Sequence, residues 1–301
     1  ALLDYGERLK KVHDIDFKMR IGFNTGQVVV GRIGDDLRLD YTAPGATTNI
    51  AFLLQQLAKP GQIVLSDRTY RVIKGYFHCE RLGEEKLKNR QKPVKYWELH
   101  HERIKRTRLD VEEEEKLLTR FVNRQEEMSM MLDLFERVKN KAGQVICVVG
   151  DAGEGKSRLI YEFKKRIDLK EATYLESQCV SYGKNLPYYP VVELLRTNFD
   201  ISETDSQEKI RGNLEVRIKR IDKRLQDSVP VLYKLLSIET ETEPSTISDP
   251  GQAKEMTFEA LRSLILWGSQ IKPLIIVVEN LQWIDSTSEE FISYIVESIA
   301  S

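Results

Sequence analysis

At 301 residues and 31% charged, the chain has room for two domains with separate cores. A formal net charge of -1 gives no reason to expect nucleic acid or an anionic membrane as partner, and no apolar run is long enough to span a bilayer. The three cysteines, Cys79, Cys147 and Cys179, are isolated and the histidines have no metal-ligand spacing, so buried thiols in a reducing, cytoplasmic setting are expected rather than disulfides or a metal cluster.

In chain order, residues 1–16 read as a helix end and a turn, with no signal peptide, and Phe17 to Phe23 and Gln27 to Ile33 read as strands. Asp40 to Gly45 is a turn-rich connection, with Asp35, Asp36 and Asp40 as loop residues around a hairpin. Ala46 to Ala58 forms a helix with Ile50, Leu53, Leu54 and Leu57 on its apolar side, ended by Pro60-Gly61. A strand at Gln62 to Leu65 leads to Ser66, the expected N-cap of a helix through Val72. Further strands are expected at Tyr76 to Arg81 and Val94 to His100.

The composition then changes. A basic stretch over 100–108 and four glutamates at 112–115 read as a charged linker or a solvent-facing helix; no aromatics interleave the basic residues, as a single-strand-binding surface would require. Met128, Met131, Leu132, Phe135 and Val138 mark the apolar face of a helix ending near Gly143. Val145 to Val149 is read as a strand, and Gly150-Asp151-Ala152-Gly153-Glu154-Gly155-Lys156-Ser157, followed by Arg158, completes GxxxxGK[ST] before a helix through Arg166. Glycines at 150, 153 and 155 let consecutive N–H groups face phosphate oxygens, Lys156 reaches the outer phosphates and Ser157 offers its hydroxyl to Mg²⁺. Ala172 to Gln178 is a strand, a turn with Gly183 and Pro187 precedes a helix at Val191 to Arg196, residues 200–235 are charged and mostly helical, and 237–253 is an acidic exposed loop. Phe258 to Trp267 is amphipathic and helical, Leu274 to Val278 is an apolar strand, and a helix begins near Ser288. Glu279, at the end of that strand, is the acidic partner a phosphate loop needs for its metal. The distance from Lys156 to Glu279 calls for additional elements between the two motifs.

Phe121-Val-Asn-Arg124, the phosphate loop, LPYYPVVELLR at 186–196 and VVENLQWID at 277–285 together resemble AAA-type regulatory ATPases of the signal-transduction (STAND) group. The resemblance implies that Phe121, Val122 and Arg124 lie near the base, Gly150 to Arg158 around the phosphates, and Ser157 and Glu279 at Mg²⁺; Asp285 aligns with an acid of the motif without an assigned role. Asn123 stands in place of a common glycine, which Asn tolerates because it visits left-handed backbone. Asn280 replaces a second acid, and an amide cannot take a proton from the attacking water, so slow hydrolysis and nucleotide-gated switching are expected.

Residues 20–99, with RIGFNTGQVVVGRIG, LDYTAPGATTNIAFLLQQLAKPGQIVLSDRTY and YFHCERLGEEKLKNRQKPVKYWEL, resemble the C-terminal half of a class III adenylate/guanylate cyclase domain. The resemblance implies that Thr42 reads the base and Asn49 orients the ribose, that Leu53 replaces a phosphate-stabilising arginine, and that a complementary cyclase domain supplies the metal-binding aspartates. The implied architecture is α/β, a partial ferredoxin-like α+β cyclase domain followed by a P-loop NTPase domain incomplete at its C-terminus. The expected boundaries are 1–100, 101–118 for the linker and 119–301. This order is that of soluble, bicarbonate-responsive adenylyl cyclases and their relatives, which implies a fragment of a signalling protein that makes cyclic AMP from ATP with Mg²⁺ or Mn²⁺, the fragment itself inactive as a cyclase. The alternative is a nonenzymatic, nucleotide-switched scaffold with a vestigial cyclase domain.

Overall fold

The computed structural model describes residues 10, 14–28, 31–33, 40–42, 45–86, 93–103, 107–202, 205–238 and 249–300, with side chains left aside at 31–33, 40–42 and 300. The chain divides into two compact units, Ala1–Thr119 and Arg120–Ser301.

In the first unit a mixed sheet has the order β1 (Ile21–Phe23), β4 (Ile63–Ser66), β6 (Val94–Glu102), β5 (Phe77–Glu85). Strands β1 and β4 are parallel, and the other two pairings are antiparallel. The parallel pair needs a crossover, and helix α1 (Ala46–Leu57) supplies it, burying Ile50 and Leu54 against Val64 and Val94. Gly22 makes this crossing possible: a Cβ there would stand 2.3 Å from the Ala51 carbonyl oxygen and 2.4 Å from the Gln55 nitrogen. Ser66 caps helix α2 (Asp67–Ile73) as expected, its Oγ accepting from the Thr69 N–H at 3.2 Å. Tyr70 of that helix stacks on Trp97 of β6, with ring centroids 3.7 Å apart.

One expectation fails here. Asp40–Thr42 is not a turn but strand β3, paired antiparallel with β2 (Gly31–Ile33), because the ladder Gly31↔Thr42 to Ile33↔Asp40 satisfies its backbone. Asp35 and Asp36 lie outside the described residues. Beyond β6, the expected linker region holds helix α3 (Arg108–Glu114), started by a reciprocal Thr107–Asp110 capping box and anchored by buried Val111.

The second unit is built on two parallel strands, β7 (Thr173–Gln178) and β8 (Leu274–Glu279), in register from Thr173↔Leu274 to Gln178↔Glu279. Helices α4 (Gln125–Lys139) and α5 (Lys156–Arg166) share a core of Met128, Met131, Phe135, Leu159 and Phe163. A larger helical core joins α6 (Tyr189–Asn198), α7 (Gln207–Ile221), α8 (Val229–Leu235), α9 (Pro250–Ile271) and α10 (Ser286–Ala300) around Phe199, Leu214, Ile218, Leu232 and Leu261.

Three further corrections belong to this unit. Val145 to Val149 is not a strand: among the described residues β8 is paired with β7 alone, so this run has no ladder partner, and Val149 is 86% exposed. Cys147, within it, is exposed for the same reason, whereas Cys179 is buried. The expected acidic loop ends sooner than read, because Asp249 caps α9 by accepting from the Gly251 N–H and Pro250 opens the helix.

Candidate functional site

The loop Gly150 to Gly155 carries the chain into the start of α5. Gly153 and Gly155 have φ of +89° and +83°, left-handed conformations that a side chain would strain, and Gly155 is the N-cap of α5. The Asp151 N–H donates to Glu154 Oε2 at 2.8 Å, which closes the turn. Lys156 folds back over it, its Nζ donating to the carbonyls of Gly150 at 2.9 Å and Asp151 at 2.8 Å. The N-terminus of α5 and the Lys156 ammonium therefore converge on one loop, the combination that binds phosphate.

Ser157 and Glu279 meet although 122 positions apart: Ser157 Oγ donates to Glu279 Oε2 at 2.5 Å. These are hard oxygen donors, one on the phosphate-loop helix and one at the end of β8, and they fit Mg²⁺, which completes its shell with phosphate and water. Burial pushes the Glu279 carboxyl above the usual carboxylate range, against the Ser157 hydrogen bond, and the neighbouring Glu176 carboxyl raises it further. Glu176 is held by Lys164 at 3.0 Å. Among the described residues no group of three or more His, Cys, Asp or Glu forms a metal cluster.

Around the loop, Arg124 donates to Glu127 at 2.6 Å and to the Glu154 carbonyl at 3.3 Å, tying the start of α4 to the phosphate loop. Asn123 is left-handed, with φ +57°. Phe121 lies under the Arg166 guanidinium, 5.4 Å from its ring centroid, and Val122 is exposed. Arg158 is engaged with Glu162 one turn along α5, at 2.8 Å. Asn280 is exposed and left-handed, with φ +60°, directly after Glu279.

In the first unit Asn49 is exposed in the first turn of α1 and Leu53 follows one turn later, half-buried. Thr42 ends β3 opposite Gly31. Two residues of the second unit escaped the sequence reading. Glu176 follows Tyr174 on the same face of β7, an alternation that could have flagged it; the bond from the Tyr188 N–H to Asp285 had no signal in sequence.

Residues 120–300 match the AAA ATPase domain family, and residues 1–100 match the adenylate and guanylate cyclase catalytic domain family. A protein of Rhizobium meliloti (strain 1021), described as uncharacterized, is 23% identical over 288 residues, covering 95% of this chain and 27% of the relative. The chain thus spans about a quarter of that relative's length. Among solved structures, the adenylyl cyclase CyaB from P. aeruginosa is 36% identical over 28% of this chain and 43% of its own, with a TM-score of 0.26. The guanylyl cyclase Cya2 is 28% identical over 33% and 50%, with a TM-score of 0.28. The guanylate cyclase domain of RhGC from Catenaria anguillulae, in complex with GTP, is 30% identical over 34% and 57%, with a TM-score of 0.28.

Proposed function

The chain belongs to the AAA ATPase domain family, with a class III adenylate/guanylate cyclase-like domain fused ahead of it, and from that premise we propose that residues 150–157 and Glu279 bind Mg²⁺-ATP as a regulatory switch. The observation that carries this reading is the 2.5 Å contact between Ser157 and Glu279, which brings the two halves of the nucleotide motif into one oxygen pair. On this reading Lys156 exchanges the loop carbonyls for phosphate oxygens, and Ser157 and Glu279 are the residues that would hold Mg²⁺. Bound Mg²⁺ supplies charge neutralisation at the outer phosphates. Asn280 offers no base for the attacking water, which favours slow turnover and a long-lived bound state.

The cyclase-like domain is proposed to serve adenylate cyclisation only with a complementary cyclase domain. Leu53 supports this, because a half-buried leucine gives the developing phosphate charge no donor. A cytoplasmic setting accords with three unpaired cysteines, and no described helix is long and apolar enough to cross a membrane.

The test is ATP affinity measured by calorimetry with Mg²⁺ and with EDTA. Glu279→Gln and Ser157→Ala are expected to lose about tenfold of the Mg²⁺-dependent gain while keeping metal-free binding. A wild-type chain with no Mg²⁺-dependent gain would refute the site.

A further inference from the structure

The segments that leave β7 and β8 at their C-terminal ends travel together. The Cys179 N–H donates to the Glu279 carbonyl at 2.9 Å, and the 3-10 turns Ser181–Asn185 and Leu281–Trp283 then pack against each other. Each segment passes through a non-glycine residue in left-handed backbone, Asn280 at φ +60°, which Asn adopts readily, and Tyr188 at φ +63°, which is costly for an aromatic residue. Asp285 offsets that cost at Tyr188. Its Oδ1 accepts from the Tyr188 N–H at 3.0 Å and from the Ser288 N–H at 2.9 Å, so one oxygen holds the N-cap residue of α6 and the first turn of α10.

Asp285 is 3% exposed, and its buried Oδ2 has no partner among the described residues. An N-cap alone is served as well by an exposed Ser or Asp; a buried carboxylate is costly and is retained where its geometry is used. What this one fixes is the path of residues 280–285. Glu279 is the last residue in register on β8, and the chain turns at the next residue. The ladder and the Cys179 N–H hold the Glu279 backbone on one side, and Asp285 is the next fastening along the chain on the other.

We propose that Asp285 is a positioning residue for Glu279, closing a two-loop clasp that holds the metal-site carboxylate against α5 and joins the nucleotide site to α6 and α10. The proposal rests on the Mg²⁺-nucleotide reading of that site. The full chain is tested by calorimetry with ATP in Mg²⁺ and in EDTA. Asp285→Ala is expected to lose about tenfold of the Mg²⁺-dependent gain with metal-free affinity unchanged, as for other residues that orient a metal ligand. Asp285→Asn, which keeps the acceptor, is expected to restore the gain.

Asp285→Ala with the wild-type gain, an equal loss in both media, or Asp285→Asn as impaired as the alanine variant would each overturn the proposal while leaving the site intact. A wild-type chain without any gain removes the site and the proposal together. Should Asp285→Ala not fold, hydrogen exchange of the wild type decides: Tyr188 and Ser288 amides are expected to gain protection with Mg²⁺-ATP beyond ATP in EDTA. Equal protection would overturn the proposal.

Discussion

Individual side chains in the second unit are set by short-range hydrogen bonds with testable acid–base consequences. Asp222 caps the 3-10 turn Lys223–Ser228, accepting from the Arg224 backbone at 2.8 Å and from its guanidinium at 2.9 and 2.8 Å. The same guanidinium stacks on Trp267, 3.6 Å from the ring centroid, which joins the turn to α9. The Arg224 hydrogen bonds lower the Asp222 carboxyl to about 2. The unfolded value is ~3.9, so the contribution of this carboxylate to stability is present above that pH and is lost as pH falls through the folded value. The difference in melting temperature between wild type and Asp222→Asn is therefore expected to be largest near neutrality and to close as the pH approaches 2. A difference independent of pH would show that the charge of Asp222 plays no part.

At the scale of elements, β1 crosses α1 at Gly22 with no room for a side chain. Gly22→Ala puts a methyl group into helix backbone that has no flexible end to yield, and about 3 kcal/mol of destabilisation is expected. Urea denaturation followed by Trp97 fluorescence, with Trp267 and Trp283 replaced by Phe in both proteins, measures it, and a midpoint unchanged by Gly22→Ala would reject the tight crossing. Elements governed by local chemistry were legible in sequence: the Ser66 cap, the apolar face of α4 and the apolar strand β8 were each read within a few residues of their observed limits. Elements defined by distant pairing were not. Val145 to Val149 has the composition of a strand, but a strand exists only with a ladder partner, and Asp40–Thr42 looked like a turn until β2 paired with it. Charge concealed the helical core likewise, since 200–235 presents Lys and Arg outward while Leu214, Ile218, Leu225 and Leu232 are buried. The candidate phosphate loop could be proposed from sequence because its motif lies in eight consecutive residues; the bond from Tyr188 to Asp285 could not, because 97 positions separate them.

For the whole molecule, a cyclase-like domain and an AAA ATPase domain share one chain, and the chemistry is divided unequally between them. On the proposed reading, the cyclase-like unit has Asn49 in the first turn of α1 and, one turn on, Leu53, which offers phosphate no donor. The chain alone is therefore expected to form no cyclic nucleotide from ATP with either Mg²⁺ or Mn²⁺, measured by product chromatography; product above the no-enzyme background would contradict that division. The second unit carries the proposed nucleotide site, in which Lys156 folds over its own loop and Ser157 donates to Glu279. The central claim is that this site binds ATP, and calorimetric titration of ATP into the full chain in Mg²⁺ tests it most directly. Lys156→Ala is expected to lower the affinity by about 10- to 100-fold, the loss of a charged donor to phosphate, while Asn280→Ala changes it little. Equal affinity for wild type and Lys156→Ala would contradict it.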